Sequence, residues 1–181
     1  MKKILPLCIV GILVLSGLGV GAITVKKTDD SKIKIESLAI SEPIIKNEGQ
    51  YVRVSLKEAA SSLLDCGKPM LPVLTKVFTF PFGTKITGVD VSFSKISELS
   101  LSKEVNPTPE PTPVDSKVAN EPIKDPAVYE SAELYPAISY SYTAGAGLDG
   151  KEHVIYLAVQ CYPVRYSPVN NFIYYSENAV I

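Results

Sequence analysis

Apolar and polar residues alternate with a period of two in several separate stretches of this chain. The alternation runs through residues 33–37, 51–56 and 89–93, with Tyr-Val-Arg-Val-Ser-Leu at 51–56 as its clearest case. Period-two alternation places one face of a strand in a core and the other in water, which is typical of an antiparallel sheet. Such a pattern excludes a helical bundle. It predicts an all-β protein whose fold class is an antiparallel β-sandwich.

The predicted elements are short strands separated by turns. The one candidate for a helix is Leu56–Asp65, which Gly67 and Pro69 would end. Asp149-Gly150 is a hairpin signal, and residues 145–150 are expected to form the loop there. The strand after it is apolar on both faces, as in a central strand. The strands expected after residue 70 are Thr75–Phe80, Lys85–Phe93, Ala137–Thr143, His153–Tyr162, Asn171–Tyr175 and Ala179–Ile181.

Proline dominates residues 106–126. Six prolines occur there, and Thr-Pro-Glu-Pro-Thr-Pro at 108–113 favours an extended polyproline II conformation without internal hydrogen bonds. One interpretation is a linker between two domains. The other is a surface segment that crosses between the two halves of one sandwich. Composition alone does not separate them.

The N-terminus predicts export. Lys2 and Lys3 precede an apolar run from Ile4 to Ile23, and small residues lead up to Ala22. This pattern is typical of a secretory signal peptide, which we assign to residues 1–22. The alternative is an uncleaved anchor, because about 20 apolar residues span a bilayer. We expect a secreted or cell-surface protein that meets the membrane only through its signal peptide during export.

Charge and the scarce metal-binding residues narrow the function classes. Without Lys2 and Lys3, 16 basic residues remain against 19 acidic ones, a net charge of about −3. Nucleic-acid binding needs a clustered basic face, so no nucleic-acid partner is expected. His153 is the single histidine, and the cysteines have no metal-ligand spacing. We therefore predict no metal and no cofactor.

Cysteine chemistry is restricted by distance. Cys161 lies eight residues from His153 in one predicted strand, a separation of roughly 26 Å at about 3.3 Å per residue. That is too far for a nucleophile and its base. Cys66 with His153 is not excluded by distance, but no motif supports it. We predict no catalytic residue, and a Cys66–Cys161 disulfide stays open because it needs Cα atoms within about 7 Å.

Three short segments resemble the N-terminal prodomain of gingipain-type cysteine peptidases, family C25. They are Gly-Lys-Pro-Met-Leu-Pro-Val at 67–73, Phe-Pro-Phe-Gly at 80–83 and Cys-Tyr-Pro-Val-Arg-Tyr-Ser-Pro at 161–168. The resemblance covers roughly residues 32–181. It implies a β-sandwich prodomain over 31–181, crossed by the segment 106–126, in a chain that lacks the catalytic domain.

The resemblance also implies a partner and a role. The partner would be the cognate C25-type peptidase domain, in cis in the full precursor, which the prodomain keeps latent and helps to fold. Candidate contacts with that domain are the basic residues of exposed, irregular sequence, Lys117, Lys124 and Lys151. The alternative for each is a lysine that only solubilises the surface. The alternative for the whole chain is a secreted or cell-surface β-sandwich binding or adhesion module without a peptidase partner.

The last predicted strand raises a further expectation. The chain stops within that strand, and the resemblance implies that more chain follows. We therefore expect the N-terminal piece of a larger secreted precursor. Alone, residues 23–181 are expected to be marginally stable or to associate through an exposed edge at the last strand.

Overall fold

Short antiparallel strands account for most of the regular structure in a computed structural model that describes residues 33–113 and 122–181. Residues Lys34–Ile181 form one compact unit. The proposed signal peptide, residues 1–22, and the candidate Lys117 lie outside the described residues. The elements are β1 Ser37–Ala39, β2 Ile44–Glu48, β3 Tyr51–Ser55, β4 Ser61–Ser62, β5 Pro72–Pro81, β6 Ser92–Ser100, α1 Pro126–Tyr129, β7 Tyr140–Asp149, β8 Glu152–Cys161, β9 Val164–Ser167 and β10 Phe172–Val180.

The strands form two four-stranded sheets and a hairpin. One sheet has the order β4-β5-β8-β7. In the other, β10 pairs with β6 on one side and with β1 and β9 on the other, while β2 and β3 form the hairpin. All of these pairs are antiparallel. The prediction of an all-β fold is therefore confirmed.

One hydrophobic core lies between these sheets. It draws buried side chains from β3, β5, β8, β9 and β10, and from the connections around Leu71 and Val105. Tyr166 and Ile173 are among the largest fully buried side chains. Burial of such side chains contributes about 1.5–3 kcal/mol each, so this shared core is the main stabilising feature of the fold.

The expectation of a central strand at 153–162 is confirmed, since β8 pairs with β5 on one side and β7 on the other. Leu157, Val159 and Cys161 face the core and are buried. On the opposite face Gln160 is exposed. The second face of β8 is thus less covered than its composition indicated.

The predicted helix over Leu56–Asp65 is wrong. Ser61–Ser62 pairs with β5 as the short strand β4, and the amide of Leu63 donates to the carbonyl of Leu71 at 2.8 Å. Leu56 is buried in the core. A ten-residue helix has little stability of its own, so pairing with β5 and burial of Leu56 outweigh its helical propensity.

Several strand boundaries also differ from the predictions, most clearly before β6 and at the end of the chain. Residues 85–91 form no strand, and β6 begins at Ser92. The apolar residues there still face inward, since Val91 is buried and the carbonyl of Val89 accepts from the Tyr140 hydroxyl at 3.1 Å. The alternation at 89–93 therefore reflects side chains that pack into the core, although residues 89–91 are not paired in a strand. At the end of the chain, the two expected strands are one strand, β10.

The hairpin between β7 and β8 is tighter than expected. Asp149 pairs with Glu152, so only Gly150 and Lys151 form the turn, and the predicted loop over 145–150 is mostly strand. Gly150 allows this turn with its φ of +61°. Within β7, a Cβ at Gly147 would lie 2.8 Å from the Tyr156 ring. The ring occupies the space that a side chain would take.

The expected exposed edge at the last strand is wrong as well. β10 is paired on both sides along most of its length. Beyond it, Ile181 and Glu36 exchange two backbone hydrogen bonds of 2.9 and 3.0 Å. β10 therefore lies inside its sheet.

Candidate functional site

The Pro-rich region and the Gly67 motif meet through backbone hydrogen bonds. Gly67 N donates to the carbonyl of Thr108, and Thr108 N donates to that of Lys68, both at 2.8 Å. Met70 N donates to the carbonyl of Asn106 at 2.9 Å. Residues 106–108 thus run beside the motif as if they were a short strand. How the whole segment 106–126 relates to domain boundaries stays a prediction.

The backbone of Gly67 forms hydrogen bonds at both ends of the Pro-rich loop, which we define as the segment between Thr108 and Asp125. Besides its bond to Thr108, its carbonyl accepts from Asp125 N at 2.9 Å. Its φ is +76°, and a Cβ would lie 3.0 Å from the carbonyl oxygen of Ile123 and 3.2 Å from Asp125 N. Glycine is the residue that tolerates such a conformation and such close backbone contact. The sequence motif was evident, but this function of Gly67 was not.

A short helix continues from this contact. Asp125 is the N-cap of α1, where its Oδ1 accepts from Ala127 N at 3.0 Å, and Pro126 occupies the first helical position. Tyr129, at the end of α1, is buried and donates its hydroxyl to the carbonyl of Val105 at 2.7 Å. Burial raises the pKa of Tyr129 well above its usual range. Through Tyr129, α1 thus attaches the Asp125 end of the Pro-rich loop to the core.

The two candidate lysines that the structure describes differ sharply. Lys124 Nζ donates to both carboxylate oxygens of Glu104, at 2.8 and 3.2 Å, and lies 5.5 Å from the centre of the Tyr129 ring. The hydrogen bond to Glu104 raises the pKa of Lys124. Lys151 is exposed in the two-residue turn between β7 and β8, and it makes no ion pair or side-chain hydrogen bond with the described residues. The structure does not bring these two lysines together into one cluster.

The cysteines are free thiols in different surroundings. Cys66 is exposed, Cys161 is buried, and no disulfide joins them. Burial raises the pKa of the Cys161 thiol to about 11, which keeps it protonated and unreactive at neutral pH. His153 lies near the other end of β8, 5.5 Å from the Phe82 ring between centroids. The separation expected from the sequence therefore holds, and Cys161 and His153 form no nucleophile–base pair.

Residues 33–113 and 122–181 contain neither a metal-binding cluster nor a membrane-spanning helix. These residues contain no cluster of three or more histidine, cysteine or acidic side chains that could hold a metal ion. Over the same residues, no helix has the length and hydrophobicity needed to cross a membrane. What the described part does offer is a β scaffold with an exposed lysine, Lys151, at the tip of the β7–β8 hairpin.

The solved structures that share this fold include two from Porphyromonas gingivalis. One is a structure of gingipain K from Porphyromonas gingivalis that addresses its zymogenic latency, with a TM-score of 0.62, 18% identity, and coverage of 81% of this chain and 83% of that chain. The other is the complex of the pro- and mature domains of RgpB from Porphyromonas gingivalis, with a TM-score of 0.58, 17% identity, and coverage of 81% and 74%. None of the curated proteins compared with this chain matches it.

The family comparison covers the whole compact unit, Lys34–Ile181. The model of the family Propeptide_C25 matches residues 25–181, which include every strand of both sheets and the loop held by Gly67. The resemblance found in the three short sequence segments is thereby confirmed. This chain belongs to the family of C25 peptidase propeptides.

Proposed function

We propose that this chain is the non-catalytic prodomain of a secreted C25-type cysteine peptidase, which binds the peptidase domain, keeps it latent and assists its folding. The observation that carries the proposal is the family match over residues 25–181. A propeptide acts by binding, and binding requires a stable, preorganised surface. The two sheets and their shared core supply such a surface.

The fold neighbours support the choice of partner. In RgpB, a domain of this fold forms a complex with the mature domain. The gingipain K structure connects the same fold with zymogenic latency. By analogy, the partner of this chain is a cognate C25 peptidase domain, in cis in the full precursor. The propeptides of such peptidases are exported with them, which agrees with the signal peptide predicted at residues 1–22.

Among the candidate contacts, the geometry favours Lys151. A side chain that extends into a partner should lose few hydrogen bonds within its own domain, because each lost bond costs free energy. Lys124 would have to give up two hydrogen bonds to Glu104, whereas Lys151 has no such partner among the described residues. The tight β7–β8 turn also limits the motion of the Lys151 backbone before binding, which lowers the backbone part of the entropic cost. Lys117, outside the described residues, stays a candidate from sequence alone.

Inhibition kinetics test this proposal. The full chain is titrated into the C25 peptidase domain encoded with it, and hydrolysis of Lys- and Arg-containing peptide substrates is measured. We expect inhibition that saturates near one chain per peptidase. The three single variants Lys117→Ala, Lys124→Ala and Lys151→Ala are compared, and Lys151→Ala is expected to weaken inhibition by at least about tenfold, the equivalent of about 1.4 kcal/mol.

Refolding the denatured peptidase domain with and without the chain tests the folding role. A higher recovered activity, after the chain is removed, is the expected result. The adhesion-module alternative predicts neither inhibition nor improved refolding. Inhibition that survives all three lysine substitutions would keep the prodomain function but refute these lysines as its contacts.

A further inference from the structure

The sheets of this protein end in strands that differ in how well they are protected against pairing with another chain. β1 and β9 have only three and four residues. β4 has only two, so beyond Val73 the edge on that side is β5, which carries the charged Lys76 and ends in Pro81. β6 is longer, but it carries charged residues and a left-handed residue, Lys95, with φ 53°. Short length, charge and local distortion are the usual means of blocking an edge.

β7 has none of these protections. It is ten residues long, and Tyr140 to Leu148 contain no charged residue and no proline. Of its side chains, Tyr142 is 49% exposed and Leu148 is 59% exposed. Among the described residues β7 pairs only with β8, so its other edge is open. A long, uncharged, open edge is a template for another strand.

The register shows which backbone groups are available. Tyr162 N donates to the carbonyl of Ser139 at 2.9 Å, one step before the pair of Tyr140 with Cys161. Hydrogen-bonded and non-hydrogen-bonded pairs alternate in an antiparallel ladder. The backbone N–H and C=O groups of the odd-numbered residues of β7 therefore bond to β8, and those of the even-numbered residues point toward the open edge. At Leu148 the Tyr156 hydroxyl already donates to the carbonyl, at 2.9 Å. The open positions centre on Ala144, between Tyr142 and Ala146.

We propose that β7 pairs antiparallel with β7 of a second copy of this chain, about a two-fold axis at Ala144, and so joins two four-stranded sheets into one. The two halves of the strand are complementary in size. This register places Tyr142 opposite Ala146, and Thr143 opposite Gly145. Aromatic and β-branched side chains pack well over small residues across a strand pair.

Charge agrees with the same register. Asp149, the one charged residue of β7, falls opposite Ser139 of the other copy, so no like charges meet. A register centred on Tyr142 would instead pair only Tyr140–Ala144 of each copy and leave Gly145–Asp149 beyond the end of the partner's strand. Size and charge thus favour a second copy over an arbitrary extended peptide, and they favour one register.

Cysteine cross-linking tests the axis directly. In a Cys8→Ser, Cys66→Ser background, Ala144→Cys places two thiols across the axis, where Cα atoms of a hydrogen-bonded pair lie about 5.5 Å apart. This distance suits a disulfide. The control, Ala146→Cys, is on the same exposed face, but its two copies lie roughly 13 Å apart at four residue steps. We expect Ala144→Cys to form disulfide-linked dimers at least about tenfold faster.

Light scattering at several protein concentrations measures the assembly itself. We expect the full chain to dimerise, and Ala144→Pro to weaken the dimer by at least about tenfold, because proline removes an outward N–H that β8 does not use. If circular dichroism shows that the proline variant is unfolded, Ala146→Lys replaces it in the dimerisation assay. This variant adds a charge to the edge and is also expected to weaken the dimer. A wild-type monomer, a dimer unaffected by Ala146→Lys, or equal cross-linking rates would each overturn the proposal. If the chain is monomeric and Ala146→Lys instead weakens its complex with the C25 peptidase domain, that domain occupies the edge and the second copy does not.

Discussion

Replacing Gly67 with alanine tests whether this residue fastens the Pro-rich loop. A left-handed φ of +76° costs an alanine about 1–2 kcal/mol. The new Cβ would also lie 3.0 Å from the carbonyl oxygen of Ile123 and 3.2 Å from Asp125 N, so the loop must shift. That shift weakens the Asp125-to-Gly67 hydrogen bond, worth about 1 kcal/mol. We therefore expect Gly67→Ala to lower the free energy of unfolding by roughly 2–3 kcal/mol.

Urea denaturation measures this loss, and tyrosine fluorescence can report it because the chain has ten tyrosines and no tryptophan. The melting temperature should fall by roughly 5–10 °C for a domain of this size. Gly49→Ala is the matched control, since Gly49 has φ +60° but nothing within 4 Å of its Cβ position. It carries the backbone cost alone. Equal losses in the two variants would refute the idea that close contact at Gly67 holds the loop.

Three further outcomes follow from burial and hydrogen bonding. Ellman's reagent should modify exposed Cys66 in the native chain, and buried Cys161 only as the chain unfolds. Burial raises the pKa of Tyr166 to about 12 from an ordinary value near 10. The neutral Tyr166 side chain therefore makes its full contribution to stability below pH 10, and this contribution is lost as the pH rises from 10 to 12. The urea midpoint should fall over that range, and less steeply in Tyr166→Phe. Tyr129→Phe leaves the carbonyl of Val105 without its donor and should cost about 1–3 kcal/mol in the same assay.

Local pattern was sufficient for β3 and for the turn between β7 and β8. The β2–β3 and β7–β8 hairpins have turn glycines with φ +60° and +61°, and the Asp149-Gly150 signal predicted the second of them. Period-two alternation predicted β3 within one residue at each end. In these cases, the residues that determine the structure lie close together in the sequence.

The errors arose where distant contacts decide the structure. Whether residues 61–62 form a strand depends on Pro72 and Val73, their partners in β5. Whether β10 is an edge depends on β1, which lies more than 130 residues earlier in the chain. The orientation of Lys124 depends on Glu104. None of these contacts has a local signature, so neither the last edge nor the most accessible candidate lysine could be identified from sequence.

The segments that revealed the family are themselves structural. Leu71 and Val73 of the first segment are buried, as are Val164 and Tyr166 of the last. Tyr166 also packs edge-on against Tyr129, with ring centroids 6.4 Å apart. Residues enclosed in this way specify a core and cannot touch a partner. The resemblance therefore identifies the fold, while the choice of peptidase must depend on exposed positions that vary without disturbing the core. Lys151 in the β7–β8 turn is such a position, so substitutions there should change binding of the peptidase domain and leave the unfolding free energy nearly constant.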